Sequence, residues 1–232
     1  MNSELNLLEG YSGDLTILYY QITPMKLLIF GASGSTGHEL VKQSLSLGHS
    51  VTAFVRDSSR LKISHKSLNV VTGGLNTGDL AGVIKGQDVV LSALGATSPF
   101  KYDAMVVDGV GKIIQVMEEL NVLRFIYLSF IGAGAGRIHG GFVIRHIASR
   151  ILKAEIAGHE AREKLIRASK LNWTIVHAPT LTNGEKKGVY RTGENLSSNS
   201  FVVTTSRADV ADLMLSQCVD PSFILKTVRV MY

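Results

Sequence analysis

"LLIFGASGSTGHEL", residues 27–40, joins a short apolar run to a helical pattern through glycines spaced G-x-x-G-x-x-G. The run is too short for a helix and reads as a buried strand. After Gly37 the apolar positions shift to helical spacing, and Gly48 closes that stretch. In such a strand–loop–helix unit, Gly31 ends the strand, Gly34 allows close backbone approach and Gly37 lets the helix pack tightly. The amides at the helix start, with the Ser33, Ser35 and Thr36 hydroxyls, suit a pyrophosphate. No Lys follows the last glycine, so the loop is not a P-loop.

The same alternation continues in both directions from this unit. Strand patterns recur at "SVTAFV", "LNVVTG", "QDVVLSAL", "LRFIYLSF", "NWTIVHAP" and "KTVRVMY". Helical patterns fall between them: a short one between Thr77 and Gly86, then "DAMVVDGVGKIIQVMEELN", a long region ending near Lys170, and "ADVADLMLSQCV". Strands alternating with helices imply parallel βαβ units, hence an α/β, Rossmann-type, doubly wound parallel sheet in a single domain over residues 25–232. Right-handed crossovers then gather the carboxyl ends of the strands on one edge, where ligands bind.

Composition limits the alternatives. Of 232 residues, 45% are hydrophobic and 19% charged, which fits a folded chain rather than a disordered one. No apolar run approaches the roughly 20 residues needed to span a bilayer. The single Cys218 points to neither a disulfide framework nor a metal site, so a reducing cytoplasm is expected. Residues 1–24 carry three carboxylates and no Lys or Arg. They are expected to form a poorly ordered extension before Met25. The net charge of +5 is matched by residues 137–170 alone, with eight Lys/Arg against three Glu.

The end of the second strand bears on which dinucleotide fits. An NAD site wants a carboxylate about 20 residues past the glycine loop. Here the sequence reads "FVRDSSRL". Arg56 and Arg60, with Ser58 and Ser59, suit the 2′-phosphate of NADP, because guanidinium groups bind phosphate through paired charged hydrogen bonds. Asp57 is the competing feature, since it could take ribose hydroxyls as an NAD site requires.

"KLLIFGASGSTGHELVKQSLSLGHSVTAFVRDSSRL" resembles the atypical short-chain dehydrogenase/reductase group that includes NmrA-like proteins and the flavin reductase/biliverdin-IXβ reductase family. "HEAREKLIRASKLNWTIVHAPTLTNGEKKGVY" and "SRADVADLML" resemble later segments of that group. The resemblance implies NADP against Gly31, Ser33, Gly34, Ser35, Thr36 and Gly37, with Arg56 and Arg60 at its phosphate. It places adenine near Gly74 and Leu75, the middle of the cofactor at Leu94 and Gly95, and the nicotinamide end at Ser129, Pro179, Thr180 and Leu181. Many relatives carry Asp after the third-strand glycine, where this chain reads "VTGGLN".

Many short-chain dehydrogenases use Tyr-x-x-x-Lys as their acid–base pair. None of the seven tyrosines here has Lys four residues later; His159 and Glu163 stand where the pair would align. Hydride can still reach a flavin, quinone or linear tetrapyrrole, which delocalises the charge it receives. Ser129 is then a candidate donor to the acceptor and His159 a candidate acid near neutral pH. Glu163 reads as an ion-pair partner for Arg167, and His177 as packing. In "GGFVIRHIASRILKAEIAGH", Ile144, Ile147, Ala148, Ile151 and Leu152 form a helical stripe, with Arg145, Arg150 and Lys153 beside it. The preceding glycines suggest a mobile flap, and the basic face a solvated cover that attracts an anionic substrate rather than nucleic acid or membrane. The expected function is an NADPH-dependent reductase of a conjugated acceptor, monomer or homodimer. The alternatives are a non-catalytic NADP sensor of the NmrA type and, against the missing Tyr-Lys pair, a sugar-nucleotide epimerase or dehydratase.

Overall fold

The structure is a computed structural model, and it describes residues 23–76, 78–95, 98 and 100–232. Nearly all of the expected amino-terminal extension lies outside these residues. The apolar runs become β1 (Lys26–Phe30), β2 (Ser50–Val55), β3 (Leu68–Thr72), β4 (Val89–Ser92), β5 (Arg124–Phe130) and β6 (Asn172–Ala178). Short strands β7 (Thr180–Thr182), β8 (Arg191–Gly193) and β9 (Thr204–Ser206) follow, then β10 (Lys226–Met231). Among the described residues the main sheet has the order β3-β2-β1-β4-β5-β6-β10-β8. All its pairings are parallel except β10 with β8. The order reverses beside β1, so a crevice opens there above the carboxyl ends.

Helices cover both faces. Leu40, Val41 and Leu45 of α1 (Ser35–Ser46) and Val210 and Met214 of α5 (Arg207–Ser216) pack with Leu27 and Ile29 on one face. On the other, α2 (Leu80–Ile84), α3 (Ala104–Glu119) and α4 (Lys153–Ala168) cover Leu28, Phe30, Phe125, Tyr127 and Ile175. Successive strand residues point to opposite faces, which is why alternate residues of β1 enter different cores. Each buried aliphatic side chain contributes about 1.5–3 kcal/mol. Asp79, Asp103 and Ser206 cap α2, α3 and α5 with side-chain oxygens. No helix among the described residues is long and apolar enough to cross a membrane.

The region between β5 and α4 departs from expectation. The glycine-rich stretch winds into a 3-10 helix over Gly134–His139, and Val143–Ala148 forms a π-helical turn. The wider π turn breaks the 3.6-residue register that the apolar stripe assumes. Ile144 is therefore buried, while Ile147 and Ile151 are 42% and 59% exposed. Also unforeseen are the parallel β7–β9 pair and the antiparallel edge strand β8. Strands of three residues are too short to leave a periodic signal.

Candidate functional site

The β1–α1 turn is shaped by what cannot fit there. Gly31 has φ +76°, and a Cβ on it would lie 2.6 Å from the Ala93 carbonyl oxygen. A Cβ on Gly37 would lie 2.0 Å from the Gly31 oxygen, so helix and loop touch through backbone. Gly34 occupies the N-cap of α1 and supplies no side-chain cap. The first-turn amides of a helix then need a partner from outside, and an anion meets that need. Ser33 and Ser35 flank this opening, whereas Thr36 is buried.

Arg56 and Arg60 both lie exposed past the end of β2. Asp57 between them caps its own 3-10 turn, accepting from the Ser59 amide at 3.0 Å and the Ser59 hydroxyl at 2.7 Å. These hydrogen bonds, the hydroxyl's first, hold its carboxyl below the usual range. Gly74 and Leu75 follow β3, with Leu75 packed over Gly109 of α3. Leu94 and exposed Gly95 follow β4. Pro179 is buried after β6; Thr180 and Leu181 are drawn into the β7–β9 pair.

Further along the same edge, polar residues replace the apolar core. Ser129 of β5 pairs in register with His177 of β6, and His177 with Arg229 of β10. Strand alternation puts all three on the face that α4 covers. From α4, His159 and Glu163 come down onto this row, one helical turn apart. Ser129 Oγ donates to Glu163 Oε1 at 2.6 Å, and His177 Nε2 donates to the same oxygen at 2.8 Å. Arg167 Nη2 donates to Glu163 Oε2 at 3.0 Å. Burial works against the Glu163 charge, but the bonds from His177, Ser129 and Arg167 outweigh it and leave its pKa at about 2.

The charge on Glu163 fixes the other protons. A carboxylate only accepts, so the single Ser129 proton goes to Glu163, and the Ser129 oxygen accepts from His159 Nδ1 at 3.1 Å. Neutral His159 therefore carries its proton on Nδ1 and presents a lone pair at Nε2. Desolvation first, then the Arg162 charge, lowers its pKa to about 3. His159 is 7% exposed, so neither a solvated surface histidine nor an acid near neutral pH describes it. Likewise, the proton expected to serve an acceptor from Ser129 is directed at Glu163. Sequence reasoning treated His177 as packing and missed Arg162. Arg162, 1% exposed, donates to the Gly158 and Leu94 carbonyls and lies 6.0 Å from the Tyr127 ring centroid. The signal available was the cluster of His159, Arg162 and Glu163 at helical spacing on one buried face.

Among the described residues, two open cavities bear on this arrangement. One of about 300 Å³, lined by Lys26, Ser50, Thr52, Lys66 and Gln87 among others, lies at the amino ends of β1–β3, opposite the crevice. The other, about 350 Å³, is bounded by Arg137, Arg145, His146, Arg150 and Lys153.

Comparison with known proteins bears on the family and the fold. The NAD(P)H-binding family model matches residues 31–221. An uncharacterized chloroplastic protein of Arabidopsis thaliana is 30% identical over 179 residues, covering 70% of this chain and 61% of its own length. Among solved structures, a short-chain dehydrogenase/reductase of Veillonella parvula in complex with NADP is similar (TM-score 0.73, 21% identity, 90% of this chain and 94% of that one). ChuY, an anaerobillin reductase of Escherichia coli O157:H7, is similar too (TM-score 0.72, 19% identity, 88% and 96%). At these identities the structural likeness speaks for the Rossmann-type fold, while the family match covers the loop that opens it. The chain belongs to the NAD(P)H-binding family.

Proposed function

We propose that the protein is an NADPH-dependent reductase that passes hydride to a conjugated acceptor such as a flavin, a quinone or a linear tetrapyrrole. The uncapped α1 terminus and the Cβ-free surface at Gly31 and Gly37 fit a pyrophosphate, with Ser33, Gly34, Ser35 and Thr36 around it. Arg56 and Arg60 then hold the 2′-phosphate, and the engagement of Asp57 in its own turn supports NADP over NAD. Gly74 and Leu75 border the adenine, Leu94 and Gly95 the centre, and Pro179, Thr180 and Leu181 the nicotinamide end. Bound NADPH supplies the hydride. Known reductases among proteins of this fold, ChuY included, fit the same reading.

One observation carries the choice of acceptor. The buried pair at positions 159 and 163 is a neutral histidine and a charged glutamate, so no acid near neutrality stands where Tyr and Lys would. An acceptor that spreads its new charge needs none. Glu163 and Ser129 orient His159, whose Nε2 accepts a hydrogen bond from an N–H or O–H of the acceptor. The test is NADPH oxidation over flavins, quinones and tetrapyrroles. Turnover on one of these classes with preference over NADH is expected; tight NADPH binding with no turnover on any would transfer the assignment to a non-catalytic sensor.

A further inference from the structure

From Leu120 to Ala154 the chain contains no carboxylate, yet it carries Arg124, Arg137, Arg145, Arg150 and Lys153. All but Arg124 line the 350 Å³ cavity together with His146. Arg124 is turned away, donating to the Gln217 and Asn172 carbonyls. Arg145 braces the wall by donating to the Ile138 carbonyl at 2.5 Å. No ion pair among the described residues engages Arg137, Arg150 or Lys153. Of the carboxylates on flanking segments, Glu160 accepts from the Gly134 amide, Glu155 faces Arg162, and Glu194 pairs with Lys226.

The cavity is tied to the polar row. Lys153 opens α4 six residues before His159, about 9 Å along the helix axis. Arg137 follows Gly136, whose backbone abuts the His177 imidazole. Arg229, across from His177, is 8% exposed, and its Nε and Nη1 have no hydrogen-bond partner. His139, near Arg229 and Arg145, is held below the ordinary histidine range by desolvation first and then by these charges. At the rim, the Phe142 ring lies 4.8 Å from His146 and stacks on Phe201 at 5.4 Å; both phenylalanines are exposed. The positive charge of Arg137, Arg150 and Lys153, beside a flat apolar border, suits an aromatic or conjugated molecule with an acidic arm.

We propose that this cavity is an anion subsite of the acceptor pocket, holding a carboxylate or phosphate on an arm of the ring system that lies against His159. The proposal rests on the reductase reading for the role of its ligand, and its test does not need turnover. FMN and riboflavin differ by one phosphate; biliverdin and its dimethyl ester differ by two carboxylate charges. Binding of each to the full chain saturated with NADP⁺ is measured by calorimetry. The charged member of at least one pair is expected to bind about tenfold tighter or more, and the responsive pair tells phosphate from carboxylate. Arg150→Glu/Lys153→Glu should abolish the preference, and Arg150→Gln/Lys153→Gln should reduce it, both with NADP⁺ affinity and thermal unfolding unchanged. Equal binding within both pairs, or a preference that survives charge reversal, overturns the subsite. Preference with no NADPH oxidation on these probes or on quinones upholds the subsite and defeats the reductase reading; reduction without preference does the reverse. Vesicles of phosphatidylcholine with phosphatidylserine provide the control. Vesicle binding that charge reversal abolishes, with probe preference intact, would reassign the surface to a membrane.

Discussion

The two glycine-rich stretches of this chain look alike in sequence and do different things. In residues 31–37 the glycines are required by backbone: Cβ atoms at Gly31 and Gly37 would strike carbonyl groups that have nowhere to move. In residues 132–141 the constraint is uneven: a Cβ at Gly136 or Gly141 would lie 2.6 Å from the Ile131 or Ser200 carbonyl oxygen, one at Gly132 would meet the Phe130 ring, and one at Gly134 would meet nothing. The first stretch is a rigid cradle with one workable shape. The second forms short 3-10 and π turns that frame a basic cavity. On the proposed reading, the pyrophosphate cradle is shaped by backbone contacts and the acceptor side by charged side chains carried on the second stretch.

That contrast can be broken by substitution. The largest effect is expected from Gly37→Ala, whose new methyl meets the Gly31 oxygen. Loss of roughly 3 kcal/mol of stability, with collapse of NADPH binding, should appear in thermal unfolding and titration. Gly134→Ala faces no clash but inherits φ +51°, and should cost only about 1 kcal/mol. Similar losses at both positions would erase the distinction between cradle and frame.

Next in size is Glu163→Gln, which removes the charge holding Ser129, His177 and Arg167. A loss of about 1–3 kcal/mol is expected, with an altered pH profile of stability. The unfolded chain takes up protons first on acidification, because both buried groups sit below their ordinary values. The His159 contribution is whole above pH 6.5 and drains away down to about 3; that of Glu163 is whole above 4.5 and drains away down to about 2. Glu163→Gln should flatten the lower window and His159→Asn the upper one, read from denaturant unfolding at stepped pH. A profile unchanged in both variants would contradict the network.

Smaller effects sharpen the cofactor side. Arg56→Ala should weaken NADPH about tenfold and leave NADH unchanged, measured as the ratio of dissociation constants. Arg60→Ala should weaken it less, since Arg60 lies farther round the turn. Equal losses for both cofactors would place the arginines away from the 2′-phosphate.

The sheet and its cradle were readable because period-two and period-3.6 patterns and glycine spacing are local properties. Topology pointed only to the segments just past the strands, and the family resemblance named the residues there; of these Leu94, Gly95 and Pro179 do follow strands, while Ser129, Thr180 and Leu181 lie within them. Proton placement was not readable. Whether His159 is an acid depends on its burial and on the Arg162 charge beside it, which outweigh the opposing pull of Glu163, and that environment is made by β5, β6 and α4 together. The apolar stripe at Ile144–Leu152 misled for a related reason: a π turn changes the period without changing residue type.

The most direct measurement compares NADPH oxidation on a conjugated acceptor with that on an isolated ketone, by the full chain, from about pH 6 to 9, where neutral His159 does not titrate. Turnover of the conjugated acceptor, with no inflexion from a group of the protein and no turnover of the ketone, is the expected result. Comparable reduction of the ketone, with a limb titrating near neutrality, would show an acid in the site and contradict the reading built on His159 and Glu163.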